Sequence, residues 1–116
     1  MLRIERSEIG AVTVLRASGE IDDGSANTLR EAVNNCLADK RYHIALDLSH
    51  MVYMSFMGAG ALVECLGALQ KFDGDLKLAG MNIQSRRLLT TMGLGHVFES
   101  YESEISAVKG YQQAAA

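Results

Sequence analysis

Apolar residues along the first part of the chain recur at every second position. Leu2-Arg3-Ile4-Glu5 and Ala11-Val12-Thr13-Val14-Leu15 read as two strands, joined as a hairpin by Ser7-Glu8-Ile9-Gly10. Gly19-Glu20-Ile21-Asp22-Asp23-Gly24-Ser25 then forms a turn-rich stretch with three side chains able to cap a helix. Beyond it the period changes: Ala26, Leu29, Val33, Cys36 and Leu37 share one face of a helix, with Arg30, Glu31 and Asn34 opposite. His43-Ile44-Ala45-Leu46-Asp47-Leu48 is a continuous apolar run of the kind that suits a strand covered on both faces. Ala59, Leu62, Val63, Leu66 and Leu69 mark a second helix that ends at Asp73-Gly74-Asp75, followed by a short strand over residues 76–79. Met81, Leu88, Leu89 and Met92 predict a third helix closed by Gly93, residues 97–101 a last strand, and Ile105, Val108 and Tyr111 a final amphipathic helix.

Strands alternating with helices over the last two-thirds imply crossover units and mostly parallel pairing. The expected fold is α/β: a mixed, mostly parallel sheet of about five strands, with an N-terminal hairpin edge and about four helices. Residues 1–111 are expected to form one domain and residues 112–116 a frayed tail. No repeat or low-complexity linker interrupts the chain, and proline is absent.

Charge narrows the range of partners. A net charge of -3 with scattered basic residues argues against nucleic-acid binding. The charged, alternating start cannot serve as a secretory h-region. Residues 51–69, the least polar stretch, are broken by Ser55, Glu64 and several glycines, so no membrane insertion is expected. Cys36 and Cys65 each sit in a helical apolar pattern and read as small core residues, which points to the cytoplasm.

Catalytic and ligand motifs are incomplete. His43, His50 and His96 share no metal-ligand spacing with each other or with the cysteines, so no metal is expected. Ser55 lies near a strand-to-helix turn but lacks the flanking glycine and the Asp/His pair of a hydrolase elbow. Gly58-Ala59-Gly60 opens a helix as a dinucleotide loop would, yet Val63 occupies the third glycine position and no acid follows the next strand. No cofactor is expected. Asp22 and Asp23 suit helix capping better than paired acid–base work, and Asp47 suits a hydrogen-bonded structural role.

The order strand, Gly19-Glu20-Ile21-Asp22, helix, Ile44-Ala45-Leu46-Asp47-Leu48-Ser49, helix, Leu76-Lys77-Leu78-Ala79-Gly80 resembles the STAS domain of anti-sigma-factor antagonists. Arg86-Arg87-Leu88-Leu89, Met92-Gly93-Leu94, Val97-Phe98 and Tyr101 extend the likeness, which runs from about Ile4 to about Val108. The resemblance implies a non-enzymatic regulator whose partner is an anti-sigma factor with a serine-kinase-type ATPase domain. In that family a loop at the tip of the second helix carries Asp-Ser-Ser/Thr-Gly; phosphorylation of its first hydroxyl residue ends partner binding. Here Ser55 falls at the Asp position, Phe56 at the phosphoacceptor, Met57 at the second hydroxyl and Gly58 at the glycine.

The expected partner-binding residues are therefore Ser55, Phe56, Met57, Gly58 and Ala59 at the helix tip, with Asp22, Asp23 and Ser25 in the neighbouring loop. Sequence leaves two readings of Phe56 open, an exposed apolar knob or a core residue. It leaves two for Ser55 as well, a helix cap or a displaced phosphorylation site. A homodimer is compatible with the pattern. The alternative functions are a scaffold or accessory subunit of a signalling assembly or transporter ATPase, and a small-ligand or nucleotide binder.

Overall fold

The computed structural model describes residues 1–114. Strands β1 (Leu2–Ile9) and β2 (Val12–Ile21) form the hairpin, and α1 (Ala26–Ala38), β3 (His43–Met54), α2 (Phe56–Gln70), β4 (Asp75–Ala79), α3 (Ile83–Thr91), β5 (Ser100–Tyr101) and α4 (Glu104–Ala114) follow. The fold is the expected mixed α/β sheet of five strands and four helices, in spatial order β1-β2-β3-β4-β5. Only β1–β2 is antiparallel; β2–β3, β3–β4 and β4–β5 are parallel. Each new strand is added on the same side of its predecessor. Right-handed crossovers then put α1, α2 and α3 on one face of the sheet, and α4 covers the other.

Two cores result. Leu15, Ile21, Leu29, Ile44, Leu46, Leu62, Leu69, Leu76 and Leu78 are buried between the sheet and the first three helices. Val12, Val14, Ala45 and Ala79 face the other way and pack under Ala107 and Val108 of α4. The alternation along β2 and β3 follows the two-residue period of a strand buried on both sides. Lys77 points into the α4 side of β4, where Asp75 (3.3 Å) and Glu99 (2.6 Å) pair with its ammonium group. The same ammonium lies 4.6 Å from the centre of the Tyr111 ring.

Several boundaries differ from the sequence reading. The hairpin turn is Gly10-Ala11, with Ile9 opposite Val12, so residues 7–9 belong to β1. Gly10 takes a positive φ of 59°, which lets a two-residue loop match the twist of the strands. The third helix begins at Ile83, capped by Asn82, whose Oδ1 accepts from the Ser85 amide at 2.8 Å. The last strand shrinks to Ser100–Tyr101, while Phe98 is buried in the preceding turn. Gln112 and Gln113, expected to fray, lie within α4; Ala115 and Ala116 fall outside the described residues.

The largest departure is in β3. Pairing with β4 stops at Asp47–Ala79, yet β3 runs on beside β2 as far as Met54–Ile21. This overhang delivers the chain to the start of α2.

Candidate functional site

The β3 overhang, the β2–α1 loop and the first turn of α2 meet at the carboxyl ends of the parallel strands. Ser55 sits between β3 and α2 in an extended conformation, φ -93° and ψ 171°. Its Oγ accepts from the Gly58 amide at 3.0 Å, the N-cap bond that the sequence allows. The same hydroxyl donates to Asp23 Oδ1 at 3.2 Å. The Ser55 amide donates to the Ile21 carbonyl at 2.9 Å. One serine thus ties the helix tip to the neighbouring loop through backbone and side chain.

Gly58 makes the close approach possible. A Cβ there would overlap the Ile21 carbonyl oxygen and lie 2.8 Å from Ile21 Cγ2. Gly60 has open space at the same position, so the two glycines differ in purpose. Ala59 is buried, and its amide donates to the Ser55 carbonyl at 2.9 Å.

Phe56 and Met57, the first two residues of α2, are 63% and 58% exposed. Of the two readings left open by the sequence, Phe56 takes the exposed one. Val52 and Tyr53 on the β3 overhang and Ile83 at the start of α3 are exposed as well. The side chains of Asn82 and Gln84, on either side of Ile83, reach the overhang. Asn82 Nδ2 donates to the Met51 carbonyl at 3.2 Å. Gln84 accepts from the Met54 amide at 3.1 Å and donates to the Met54 carbonyl at 3.0 Å. Its carboxamide pairs with the strand edge as a neighbouring peptide would.

The β2–α1 loop departs from its expected role. Ser25, Asp22 and Asp23 do not cap α1 with their side chains. Ser25 occupies the N-cap position without a side-chain cap bond. Its Oγ turns back, accepting from the Asp22 amide at 2.9 Å and donating toward the Glu20 carbonyl at 2.7 Å. At 5% exposure it shapes the loop from inside and offers a partner no side chain. Asp22 Oδ1 accepts from the Ser25 amide at 3.1 Å. Asp22 is half-buried, Asp23 is exposed beside Ser55, and Gly58 is buried.

The remaining chemical candidates are dispersed. Asp47 Oδ1 accepts from the Ser49 amide at 2.9 Å. Burial would raise its carboxyl, but hydrogen bonds from Ser49 outweigh that and hold it below the usual value. This matches the structural role expected of it. Burial pushes the Cys36 thiol up and the Cys65 thiol to about 11, so both stay protonated at neutral pH. Among the described residues, His, Cys, Asp and Glu do not gather into a group of three or more that could hold a metal. No helix among them is long and apolar enough to cross a membrane.

Val52, Tyr53, Ile83, Asn82 and Gln84 were not singled out from the sequence. Ser49-His50 breaks the apolar run of β3, which hides the overhang; only its pairing with β2 reveals it. The tethers join residues about thirty positions apart, beyond the reach of any local pattern.

Four helices stacked over a five-stranded sheet of this order, with a loop and a helix tip exposed at one end, define a small α/β domain. Comparison with known proteins gives the family. The STAS domain model matches residues 3–107, and the chain belongs to that family. A relative named anti-sigma F factor antagonist, from Paenibacillus polymyxa, is 25% identical over 108 residues, covering 92% of each chain. The crystal structure of an anti-sigma factor antagonist from Mycobacterium paratuberculosis superposes with a TM-score of 0.85 at 24% identity, covering 95% of this chain and 93% of that one. A sulfate transporter family protein from Wolinella succinogenes has the same fold, with a TM-score of 0.76 at 16% identity over 93% and 89% of the two chains. The chain is thus a STAS domain whose sequence is similar to that of an anti-sigma F factor antagonist.

Proposed function

We propose that this protein is a non-enzymatic regulator that docks an anti-sigma factor bearing a serine-kinase-type ATPase domain. Docking uses the exposed face of the α2 tip, Ser55 to Met57, which the buried Gly58 and Ala59 seat against the sheet, with Asp22 and Asp23 alongside. Phe56 stands where the family carries its phosphoacceptor, so phosphorylation there cannot end the complex. One observation carries the reading: two large apolar side chains, Phe56 and Met57, stand in solvent on a helix tip that hydrogen bonds tie to the β2–α1 loop, to β2 and to α3. Covering what remains exposed of each would contribute about 1–2 kcal/mol, and an anchored aromatic in a partner's pocket is a common centre of binding energy. Val52, Tyr53 and Ile83 widen the apolar area; Asp22 and Asp23 give it an acidic rim.

The bonds of Ser55 favour the cap over the displaced phosphosite. A phosphate on Oγ would replace the hydrogen that Asp23 accepts, placing like charges together, and would disturb the bond from the Gly58 amide. Isothermal titration against the cognate anti-sigma factor tests the proposal. Phe56→Ala is expected to weaken binding at least about tenfold. Incubation with ATP is expected to leave the complex intact and Ser55 unmodified by mass spectrometry. Equal affinity of wild type, Phe56→Ala and Met57→Ala would refute the reading.

The likeness to a transporter-family structure keeps an accessory-subunit role as the second reading. Size-exclusion chromatography with lysate distinguishes it: a large assembly that contains transporter subunits and no anti-sigma factor would favour that role.

A further inference from the structure

The docking tip carries an exposed sulfur, Met57, in a chain that buries or half-buries its other sulfurs except that of Met1. Six methionines and two cysteines make up its sulfur content. Met51, Met54, Cys36 and Cys65 are buried, and Met81 and Met92 are half-buried. Only Met1 and Met57 expose most of their side chain. The thiols do not compete as oxidant targets, because both are buried and held protonated, whereas a thioether needs no ionisation to react. Met57 also lies next to Phe56, in the apolar area that a partner would cover.

We propose that Met57 is a reversible oxidation site, and that its sulfoxide is the off state of the docking surface. The inference rests on the docking reading above. In the free protein the Met57 thioether attacks a hydroperoxide: the O–O bond breaks, one oxygen is transferred to sulfur, and the peroxide leaves as water or an alcohol. Sulfur loses two electrons and the peroxide gains them. A dithiol-dependent methionine sulfoxide reductase reverses the step, forming a disulfide and returning the oxygen as water. The change turns a flexible apolar side chain into a polar one with a strong acceptor, and burying that acceptor unpaired in an apolar pocket is costly. A surface without a phosphoacceptor at residue 56 thereby gains a covalent switch at residue 57.

The test treats the full chain with graded hydrogen peroxide and places the added oxygen by fragment-ion mass spectrometry. Met57 is expected to oxidise about ten times faster than Met51 and Met54, as exposure dictates. Binding of the cognate anti-sigma factor is expected to weaken at least tenfold in step with Met57 oxidation and to return after treatment with the sulfoxide reductases and dithiothreitol. Met57→Leu carries no sulfur at the tip, so its affinity, whatever its starting value, should be the same before and after peroxide. Equal oxidation rates at Met57 and Met51, or full affinity of protein oxidised at Met57, would overturn the switch. Failure of the docking reading looks different: the unoxidised protein would not bind, or Phe56→Ala would bind as well as wild type. Partner binding to the reduced form, sensitive to Phe56→Ala but indifferent to Met57 oxidation, would remove the switch and leave the docking surface standing.

Discussion

Gly58 and Gly60 are two residues apart at the start of the same helix, yet substitution should move stability in opposite directions. A methyl group on Gly58 meets the Ile21 carbonyl across the packed joint between α2 and β2. Gly58→Ala is therefore expected to cost about 1–3 kcal/mol, the usual range for overpacking, and to lower the urea midpoint with an unchanged m-value. Gly60→Ala meets nothing and gains helix propensity, so it should stabilise by about 0.5–1 kcal/mol in the same measurement. Sequence shows both as small residues at a helix start and cannot rank them, because the difference is a distance to a strand thirty-seven residues away. Ser55 was more legible. A hydroxyl three residues before Gly58 is a local signal for an N-cap, and the bond is there. Its second bond, to Asp23, depends on how the loop is placed in space. The exposure of Phe56 was likewise beyond local reading, since helix periodicity near a terminus does not say which way the first turn faces.

The α2 tip is placed by neighbouring elements as much as by its own sequence. Once β4 has ended, β3 has no strand on that side, and α3 supplies Asn82 and Gln84 to its edge. Gln84→Leu keeps much of the volume but leaves the Met54 amide and carbonyl without their partner. Each group left unsatisfied in a partly buried place costs about 1–3 kcal/mol. The predicted outcome is a loss of about 2–6 kcal/mol for the two groups together, with hydrogen exchange accelerated most at Met54 and in the first turn of α2. Gln84→Glu offers two acceptors and no donor. It should keep the bond from the Met54 amide, lose the one to the carbonyl and fall between wild type and Gln84→Leu. Uniform loss of protection across all four helices would contradict a local tether. Periodicity located every helix and the β3 and β4 starts, since these elements bury one face or two and their sequences show it. It missed the ends of β1, β2 and β3, where pairing with a neighbour carries the strand past the apolar pattern. It lengthened β5, because Phe98 is buried from a turn and not from a strand.

At the scale of the whole molecule, the two cores place ionisable groups so that stability should form a plateau in pH. On the acid side, hydrogen bonding to Lys77 holds the Glu99 carboxyl below its usual 4.5. Bonds from Ser49, against the opposing effect of burial, hold Asp47 below 3.8. Both bind protons more weakly folded than unfolded, so their contribution is complete above about pH 5 and is lost as pH falls through their lowered native values. On the alkaline side, burial raises Cys65 from 9.0 to about 11 and raises Tyr111 above its ordinary 10.0. Burial alone would lower Lys77, but hydrogen bonds to Glu99 and Asp75 reverse this and raise it above 10.5. These three hold their protons more tightly in the folded state, so their contribution is complete below about pH 9 and declines above it. Thermal unfolding followed from pH 3 to 11 should therefore show a Tm that is level between about pH 5 and 9 and falls on both sides. Cys65→Ala separates the causes. It removes one of two buried thiols that titrate first on the alkaline limb, so the fall should become shallower by roughly 2–3 kcal/mol at its end. Cys36, also raised by burial, keeps the onset at about pH 9. The neutral plateau should drop slightly for the lost buried sulfur. An alkaline limb unchanged in Cys65→Ala would mean that the thiol ionises freely in the folded protein, and that the joint between α1 and α2 admits water.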